Sequence, residues 1–212
     1  MSALRIILLG PPGVGKGTQA DLLSEQFKIP KISTGDILRK AIQNQTALGK
    51  IAQETIGQGK LVSDDVVIGI IQERFSHPDC IAGFILDGFP RTLVQAKALE
   101  KITPVDHVVS LVVDRDDIVK RLEGRWTCKN CQKMYHIEFQ PPKKIGICDV
   151  CKGELYQRKD DQREAIEKRL SEYERLTEPL LGYYSNQRIL KKIQGMGSVQ
   201  NVFQYILDKI KG

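Results

Sequence analysis

The sequence predicts an α/β protein built on a parallel β-sheet, and three short apolar runs support this prediction. A helical pattern follows each of these runs, which are LRIILL at 4–9, GFILDG at 83–88 and HVVSLVV at 107–113. A continuous apolar run of this length is typical of a strand buried on both faces. Strands that alternate with helices along the chain indicate a parallel sheet with helices packed on it.

The elements follow in a regular order that starts from the first apolar run. A glycine-rich turn comes next, and helical patterns are then found at 18–27, 92–101, 115–124 and about 162–188. A weak strand is expected at 189–194 and a last helix after Ser198. The order of elements therefore predicts one α/β core.

Two segments interrupt this order and are predicted to be insertions into the core. Residues 33–62 look helical without a good intervening strand, and residues 125–161 contain two cysteine pairs and few apolar side chains. The predicted core is accordingly formed by three ranges, 1–32, 63–124 and 162–212.

The composition is that of a globular protein. The 212-residue chain is 41% hydrophobic and 27% charged, which are ordinary proportions. No apolar run approaches the ~18 residues of a membrane-spanning helix, and the N-terminus lacks the basic region and cleavage site of a secretory signal. We therefore expect a cytoplasmic protein without a membrane partner. The net charge of +6 fits either a solvated basic surface or an anionic partner such as a nucleotide or nucleic acid.

The segment GPPGVGKGT at 10–18 has the pattern of a phosphate-binding loop. Its glycines permit backbone conformations that turn several N–H groups toward one anion, and the helix that follows points its N-terminus at the same place. Lys16 supplies a mobile cation for the β- and γ-phosphates. The alternative is a glycine-rich turn without chemical function, but the buried strand before the loop and the helix after it favour phosphate binding.

The magnesium ligand of this loop departs from the usual pattern. Gly17 stands where a hydroxyl normally follows the lysine, and Thr18 comes one position later. Asp87, at the end of an apolar strand, is the natural replacement, because a carboxylate there could orient the waters of a magnesium ion. The alternative for Asp87 is a turn or helix-capping role.

Four of the five cysteines form two C-x2-C pairs separated by sixteen residues: Cys128, Cys131, Cys148 and Cys151. This spacing indicates a four-thiolate metal site, in which Zn2+ is expected and iron is the alternative. Four sulfurs leave no open position for water, so the metal would be structural. Free or disulfide-bonded cysteines are the other alternative, and His136 is expected to be an ordinary residue.

Arg121 and Arg125 are four residues apart and therefore lie on one face of a predicted helix. Like charges at this spacing cost roughly a few tenths of a kcal/mol, which a bound anion would remove. Asp117, four residues before Arg121, could remove the same cost without a ligand.

The order and spacing of five motifs resemble those of the adenylate kinases over essentially the whole chain. The motifs are GPPGVGKGT, STGD at 33–36, DGFPRT at 87–92, GR at 124–125 and YQRKDD at 156–161. With four cysteines, the chain resembles the zinc-containing, long-lid bacterial form. The resemblance implies a P-loop nucleoside monophosphate kinase fold in which 33–62 is a helical AMP-binding insertion and 125–161 is a zinc-ribbon-like lid.

The resemblance also implies a role for each matching residue. The AMP-binding residues would be Thr34, Arg39, Lys60, Leu61, Val62, Gly88, Arg91, Gln95, Arg158 and Arg169. The ATP-binding residues would be Gly13, Val14, Gly15, Lys16, Gly17, Thr18, Arg121, Arg125, Met134, Tyr135 and Met196. The catalytic residues among these would be Lys16, Arg91, Arg125, Arg158 and Arg169.

The implied activity is reversible phosphoryl transfer, ATP + AMP = 2 ADP, with Mg2+ bound to ATP, a role in nucleotide biosynthesis and a monomeric state. Two alternatives remain at this point. One is a kinase for another monophosphate such as UMP, CMP or GMP. The other is a P-loop protein whose ribbon binds nucleic acid, although the position of the ribbon between two arginine-bearing helices argues against a nucleic-acid partner.

Overall fold

The computed structural model describes residues 3–57 and 60–211. Residues 1, 2, 58, 59 and 212, over which the predicted domain ranges extend, lie outside this description. No helix within it is both long and apolar enough to span a membrane.

The centre of the molecule is a five-stranded parallel sheet with the spatial order β2-β3-β1-β4-β8. Its strands are β1 (Leu4–Leu9), β2 (Lys31–Ser33), β3 (Gly83–Asp87), β4 (His107–Val112) and β8 (Leu190–Gln194). The three apolar runs are therefore strands, and the weak strand pairs in parallel with β4. The predicted parallel sheet is confirmed.

Helices cover both faces of this sheet, which explains why its strands are continuously apolar. Most of the first face is covered by α1 (Lys16–Phe27), α6 (Arg115–Glu123), α7 (Arg163–Glu172) and α9 (Val199–Lys211). The second face is covered by α2 (Thr34–Gln43), α3 (Ala47–Gly57), α4 (Asp64–Phe75), α5 (Leu93–Ile102) and α8 (Pro179–Asn186). Side chains of β1 alternate between the two cores: Ile6 and Leu8 enter the first, and Ile7 and Leu9 enter the second.

Two elements of the sheet and its cover were absent from the sequence prediction. One is β2, a three-residue strand too short to have a periodicity of its own. The other is α4, whose first turn carries Asp64 and Asp65, a favourable arrangement at a helix N-terminus.

The long helical stretch predicted at about 162–188 is divided by a short π-helical segment, Tyr173–Thr177. Glu178 N donates to Tyr173 O, five residues earlier, at 2.9 Å. This widened turn separates α7 from α8, and Pro179 begins α8 at a position where a missing N–H costs nothing.

The segment rich in cysteine forms a second sheet, three-stranded and antiparallel, with the order β6-β5-β7. The strands are β5 (Arg125–Cys128), β6 (Met134–His136) and β7 (Leu155–Tyr156). Its buried cluster contains only Cys128, Tyr135, Cys148 and Leu155, with Trp126 partly buried against them. So small an apolar cluster is a poor core for a segment of this length.

Candidate active site

The candidate site lies where the parallel strands end, at the edge that α/β proteins generally use for ligand binding. Asp87 is the last residue of β3 and pairs in register with Leu8 of β1 and Ser33 of β2. The glycine-rich loop that follows β1 and the STGD segment that follows β2 therefore meet around Asp87.

The loop after β1 has a backbone that glycine makes possible. Gly10 has a φ of 136°, and a Cβ there would lie 2.6 Å from Leu111 O on the neighbouring strand. Lys16 begins α1, and its Nζ folds back over the loop to donate to Gly10 O at 2.7 Å and Pro11 O at 2.8 Å. The cation therefore stands at the mouth of the loop, close to the N-terminus of α1.

A cavity of about 1090 Å³ opens at this edge, and a smaller one of about 40 Å³ adjoins it. Leu61, Gly88 and Arg91 line both. Every residue predicted to bind a nucleotide, and Asp87, predicted to bind magnesium through water, lies on the wall of one or both cavities. Those on the larger cavity are Gly13, Val14, Gly15, Lys16, Gly17, Thr18, Arg39, Asp87, Arg121, Arg125, Met134, Tyr135, Arg158, Arg169 and Met196. Those on the smaller cavity alone are Thr34, Lys60, Val62 and Gln95.

Positive charges crowd the larger cavity, and the pKa values of several groups there are lowered. Burial, followed by the charges of Arg91, Arg169 and Arg125, lowers the pKa of Lys16 to about 8, although Asp87 opposes the shift. Burial and Arg169 lower the pKa of Arg91 to about 10. Burial, with Arg39 and Arg125, lowers the pKa of Arg158 to about 9. The folded protein thus holds cations in a place where protons are bound less tightly than in water.

Not all of these cations have a carboxylate partner. Arg158 is only 5% exposed, and its Nε has no hydrogen-bond partner within the residues described. Arg91 Nε donates to Gly88 O at 2.9 Å, and no ion pair of Arg91 or Arg158 is found in the described part of the chain. Because a buried, unpaired cation is costly, their arrangement suits an anion that the protein itself does not supply.

Two adjacent aspartates, for which the sequence predicted no role, hold two of the arginines, Arg125 and Arg169, in place. Asp161 is 1% exposed and accepts from Arg125 and, at 3.0 Å, from Arg169 Nη1. Asp160 contacts Arg169 through its Oδ2 at 3.1 Å. Burial disfavours the charged form of Asp160 and so raises its pKa, but the charges of Arg169 and Arg125 have the larger combined effect and hold the pKa below the usual range. The YQRKDD motif was a signal for these carboxylates, but their partners are distant in sequence.

A second set of charges lies at the start of α2. Asp36 forms an ion pair with Arg39. Burial raises the pKa of this carboxyl, but the charges of Arg39 and Lys31 outweigh burial and hold the pKa below its usual range. Lys31 Nζ lies 2.8 Å from Asp21 Oδ1 and donates to Gly17 O at 3.3 Å. Lys31 is a further cation that lines the cavity, and no sequence motif pointed to it.

Arg121 does not pair with Asp117, the alternative that the sequence left open. Its guanidinium donates to Gly195 O at 3.1 Å and to Val14 O at 3.4 Å, and it lies 3.5 Å from Met196 Sδ. These contacts join the phosphate-binding loop to the segment after β8. The charge of Arg121 is therefore available to an anion in the cavity.

The small sheet approaches the loop and α2. A Cβ at Gly17 would lie 2.8 Å from Met134 Cε and 3.4 Å from Asp87 Oδ2. Gln43 Nε2 donates to Lys129 O at 3.2 Å. Tyr135, 5% exposed, turns its hydroxyl into the small sheet, where it accepts from Asp149 N at 2.8 Å and lies 3.4 Å from Cys148 Sγ.

The four predicted cysteine ligands come together, with all sulfurs within 4.8 Å of one another. Cys128 and Cys151 sulfurs are 3.4 Å apart, and those of Cys131 and Cys148 are 3.5 Å apart. A tetrahedral site with metal–sulfur bonds of ~2.3 Å needs sulfurs about 3.8 Å apart, so the four residues fit one metal ion. They form no disulfide. His136 accepts from Glu138 N and Phe139 N through Nδ1, in keeping with an ordinary role.

Comparison with known proteins gives a consistent result. The family model described as adenylate kinase matches residues 8–189. The adenylate kinase of Geotalea daltonii is 50% identical over 214 residues, which cover 99% of this chain and 100% of that protein. The corresponding values are 52% over 208 residues, 96% and 97% for Trichlorobacter lovleyi, and 49% over 216 residues, 98% and 100% for Archaeoglobus fulgidus. The resemblance predicted from the motifs is confirmed, and the chain belongs to the adenylate kinase family.

Proposed function

We propose that this enzyme transfers the γ-phosphoryl group of ATP directly to AMP and forms two molecules of ADP. Its family membership makes it a nucleoside monophosphate kinase, a class of phosphotransferase, as the sequence predicted. The proposed roles of individual residues are supported mainly by one observation. Lys16, Arg91 and Arg158 lie in one cavity, and their positive charges are not fully balanced by nearby carboxylates, as their lowered pKa values indicate. Two bound nucleotides would supply the missing negative charge.

The two substrates would occupy the two ends of the joined cavities. ATP would lie along the phosphate-binding loop, with its triphosphate on Lys16 and on Arg121 and Arg125. AMP would lie beside α2 and α5, with its phosphate on Arg39, Arg91 and Arg158 and its base in the small cavity lined by Gln95. Arg169, held by Asp160 and Asp161, would stand between the two phosphates. The remaining residues of the predicted ATP and AMP sets would form the walls.

The transfer itself requires positioning and charge stabilisation. A phosphate oxygen of AMP forms a bond to the γ-phosphorus as the bond from that phosphorus to the β–γ bridging oxygen breaks. The bond electrons pass to the bridging oxygen, which becomes a terminal oxygen of the first ADP. The acceptor is already ionised, so no general base is required. Arginine suits this role because its planar fork binds phosphate oxygens bidentately and stays charged.

Magnesium bound to ATP would neutralise charge on the β- and γ-phosphates. The half-buried carboxylate of Asp87 stands at the end of β3, beside Gly17. We propose that Asp87 holds the waters of this ion, since the loop offers Gly17 where a hydroxyl would otherwise act.

We further propose that residues 125–161 form a lid, that 33–62 form the AMP-binding insertion and that 1–32, 63–124 and 162–212 form the core. The metal bound by Cys128, Cys131, Cys148 and Cys151 would be structural zinc, because a closed four-sulfur shell leaves no position for a reactant. The lid would exclude water from the cavity. The approach of Met134 to Gly17 supports a lid more than a nucleic-acid reader. We also propose that the enzyme is a cytoplasmic monomer and that it acts in nucleotide biosynthesis.

The direct test is ADP formation from ATP·Mg2+ with AMP, UMP, CMP and GMP offered separately. We expect strong turnover with AMP alone. Strong turnover with another monophosphate would contradict the base assignment, and no transfer from folded, metal-loaded protein would contradict the reaction.

The proposed roles of the arginines are tested with Arg91→Ala and a matched control, Arg163→Ala. Removal of Arg91 should lower kcat/KM by about 100-fold or more, because one preorganised charge at a transition state contributes on this scale. Arg163 has a 76% exposed side chain, and its removal should leave turnover unchanged. Equal effects of the two substitutions would remove Arg91 from the proposed site.

A further inference from the structure

The side-chain amide of Gln95 is held from both sides. Gln95 is only 1% exposed and lines the smaller cavity. Its Oε1 accepts from Arg91 N at 2.7 Å, and its Nε2 donates to Asp64 Oδ1 at 2.8 Å. The same Asp64 oxygen accepts from Thr92 Oγ1 at 3.0 Å.

The chemistry of these partners fixes which end of the amide is oxygen and which is nitrogen. A backbone N–H can only donate, and a carboxylate can only accept. If the amide were rotated by half a turn, the NH2 group would face the N–H of Arg91 and the oxygen would face Asp64. Both contacts would then be repulsive, so Asp64 and Arg91 together exclude the rotated state.

Helix capping explains only part of this arrangement. Thr92 is the N-cap of α5 and accepts from Gln95 N at 3.2 Å. Gln95 Oε1 accepts from the N–H of Arg91, one residue before the cap, so the pattern resembles a capping box. Asp64, however, belongs to α4 and lies 31 residues earlier in the chain. A cap does not need it, so its contact with Nε2 calls for another explanation.

The held amide keeps one N–H of Nε2 and one lone pair of Oε1 for a ligand. A 6-aminopurine presents an acceptor at N1 next to a donor at N6, which this pair complements. A 6-oxopurine presents a donor at N1 next to an acceptor at O6, the mirror image. A free amide could rotate to satisfy either base, whereas a fixed amide satisfies one.

We propose that Asp64 is a positioning residue that fixes the amide of Gln95 and so makes the monophosphate site select 6-amino over 6-oxo purines. The inference rests on the proposed function, in which the smaller cavity takes the base of AMP. Asp64 touches no substrate in this proposal and acts only through Gln95.

The test compares Asp64→Asn with Asp65→Asn, each measured with AMP and with IMP, which differs from AMP only at positions 1 and 6. Both substitutions remove one carboxylate from the first turn of α4, but Asp65 is exposed and makes no hydrogen bond to Gln95 in the described structure. Asn can donate as well as accept, so it no longer dictates which end of the Gln95 amide faces it. In Asp64→Asn, the ratio of kcat/KM for AMP to that for IMP should therefore fall at least about fivefold, the scale of one hydrogen bond. Asp65→Asn should keep the native ratio.

An unchanged ratio in Asp64→Asn, or an equal loss of both activities, would overturn the proposal, because a purely structural defect affects both substrates alike. If Asp64→Asn does not fold, the same ratio of kcat/KM values for AMP and IMP is measured in Asp64→Ser. The serine hydroxyl can donate as well as accept a hydrogen bond, so it also fails to fix the amide. Asp64→Glu, whose carboxylate can only accept as the native one does, should keep much of the preference for AMP.

A third variant separates this proposal from the proposed function. Gln95→Met removes the amide while keeping the length of the side chain. Native AMP turnover and a native AMP-to-IMP ratio in that variant would mean that the smaller cavity does not bind the base. Loss of the preference in Gln95→Met, with a native ratio in Asp64→Asn, would overturn the role of Asp64 alone.

Discussion

Lys16 stands among arginines in a half-buried position, and its pKa reflects that environment. Burial is the main cause of a shift from 10.5 to about 8. Because the folded-state pKa is lower than that of the unfolded chain, the unfolded chain binds more protons between about pH 8 and 10.5. The cost of keeping Lys16 charged therefore lowers the free energy of unfolding at pH values below about 8. This cost is relieved as the pH rises from about 8 to 10.5.

This lowered pKa predicts proton uptake when ATP binds. At pH 8.5 Lys16 is neutral in a substantial fraction of the enzyme without bound nucleotide, and a bound triphosphate favours its charged form. Calorimetric titration with ATP·Mg2+ in two buffers of different ionisation enthalpy should show more protons taken up at pH 8.5 than at pH 7.5. Lys16→Arg stays charged over this range and should take up fewer. The same uptake in the variant would assign the proton to another group, such as Arg158.

At the scale of the element, the π-helical turn after α7 connects the second helical layer to the site. Thr177 lies in this turn, is buried, and donates through Oγ1 to Arg91 O at 2.8 Å. The widened turn thus brings a hydroxyl to the backbone of an arginine that is 86 residues earlier in the chain. A regular helix over the same residues would present different side chains to the cavity.

Thr177→Val is predicted to disturb catalysis through Arg91 without changing the fold. The substitution keeps the shape of the side chain and leaves Arg91 O without its partner, at a cost of about 1–2 kcal/mol in the free energy of unfolding. We expect kcat/KM for AMP to fall about fivefold.

The control for this variant is Thr103→Val, which removes only a 3.4 Å contact to Pro104 O and should leave kcat/KM and the urea midpoint nearly native. Native kinetics in Thr177→Val, together with a lowered midpoint, would limit Thr177 to a structural role.

At the scale of the whole molecule, we expect the small sheet to depend on the proposed metal ion much more than the parallel sheet does. The parallel sheet has two extensive apolar cores, whereas the buried apolar cluster of the small sheet and its loops has four residues, two of which are cysteines. The binding energy of a metal cross-link would therefore be a large share of the stability of this segment.

Removal of the metal should loosen the small sheet and leave the parallel sheet intact. Trp126 is the single tryptophan of the chain and packs against the cysteine cluster, so its fluorescence reports on this segment alone. Chelation should shift its emission to the red and lower the melting temperature, with little change in far-ultraviolet circular dichroism. We expect about one zinc per chain before chelation.

Cys80→Ser is the matched control, since Cys80 is buried in the core far from the other four cysteines in sequence. Its metal content and Trp126 emission should be native. A native emission after complete metal removal from the unsubstituted protein would contradict the structural role of the metal.

Local patterns in the sequence were enough to predict much of this protein. Continuous apolar runs gave the buried strands because a strand covered on both faces has no polar side. The glycine-rich loop with Lys16, and the spacing of the two cysteine pairs, predicted their chemistry because the groups that act together lie close in the chain.

Only the tertiary structure decided how charges and hydrogen bonds are shared among distant residues. It pairs Arg125 with Asp161 and leaves Arg158 without a carboxylate partner. It directs Arg121 to a backbone carbonyl and not to Asp117. It joins Gln95 to Asp64. It also produced β2, whose three residues are ordered by pairing with β3, and the widened turn after α7. The physical reason is common to all of these: each depends on a partner that folding brings near, and no local periodicity encodes that partner.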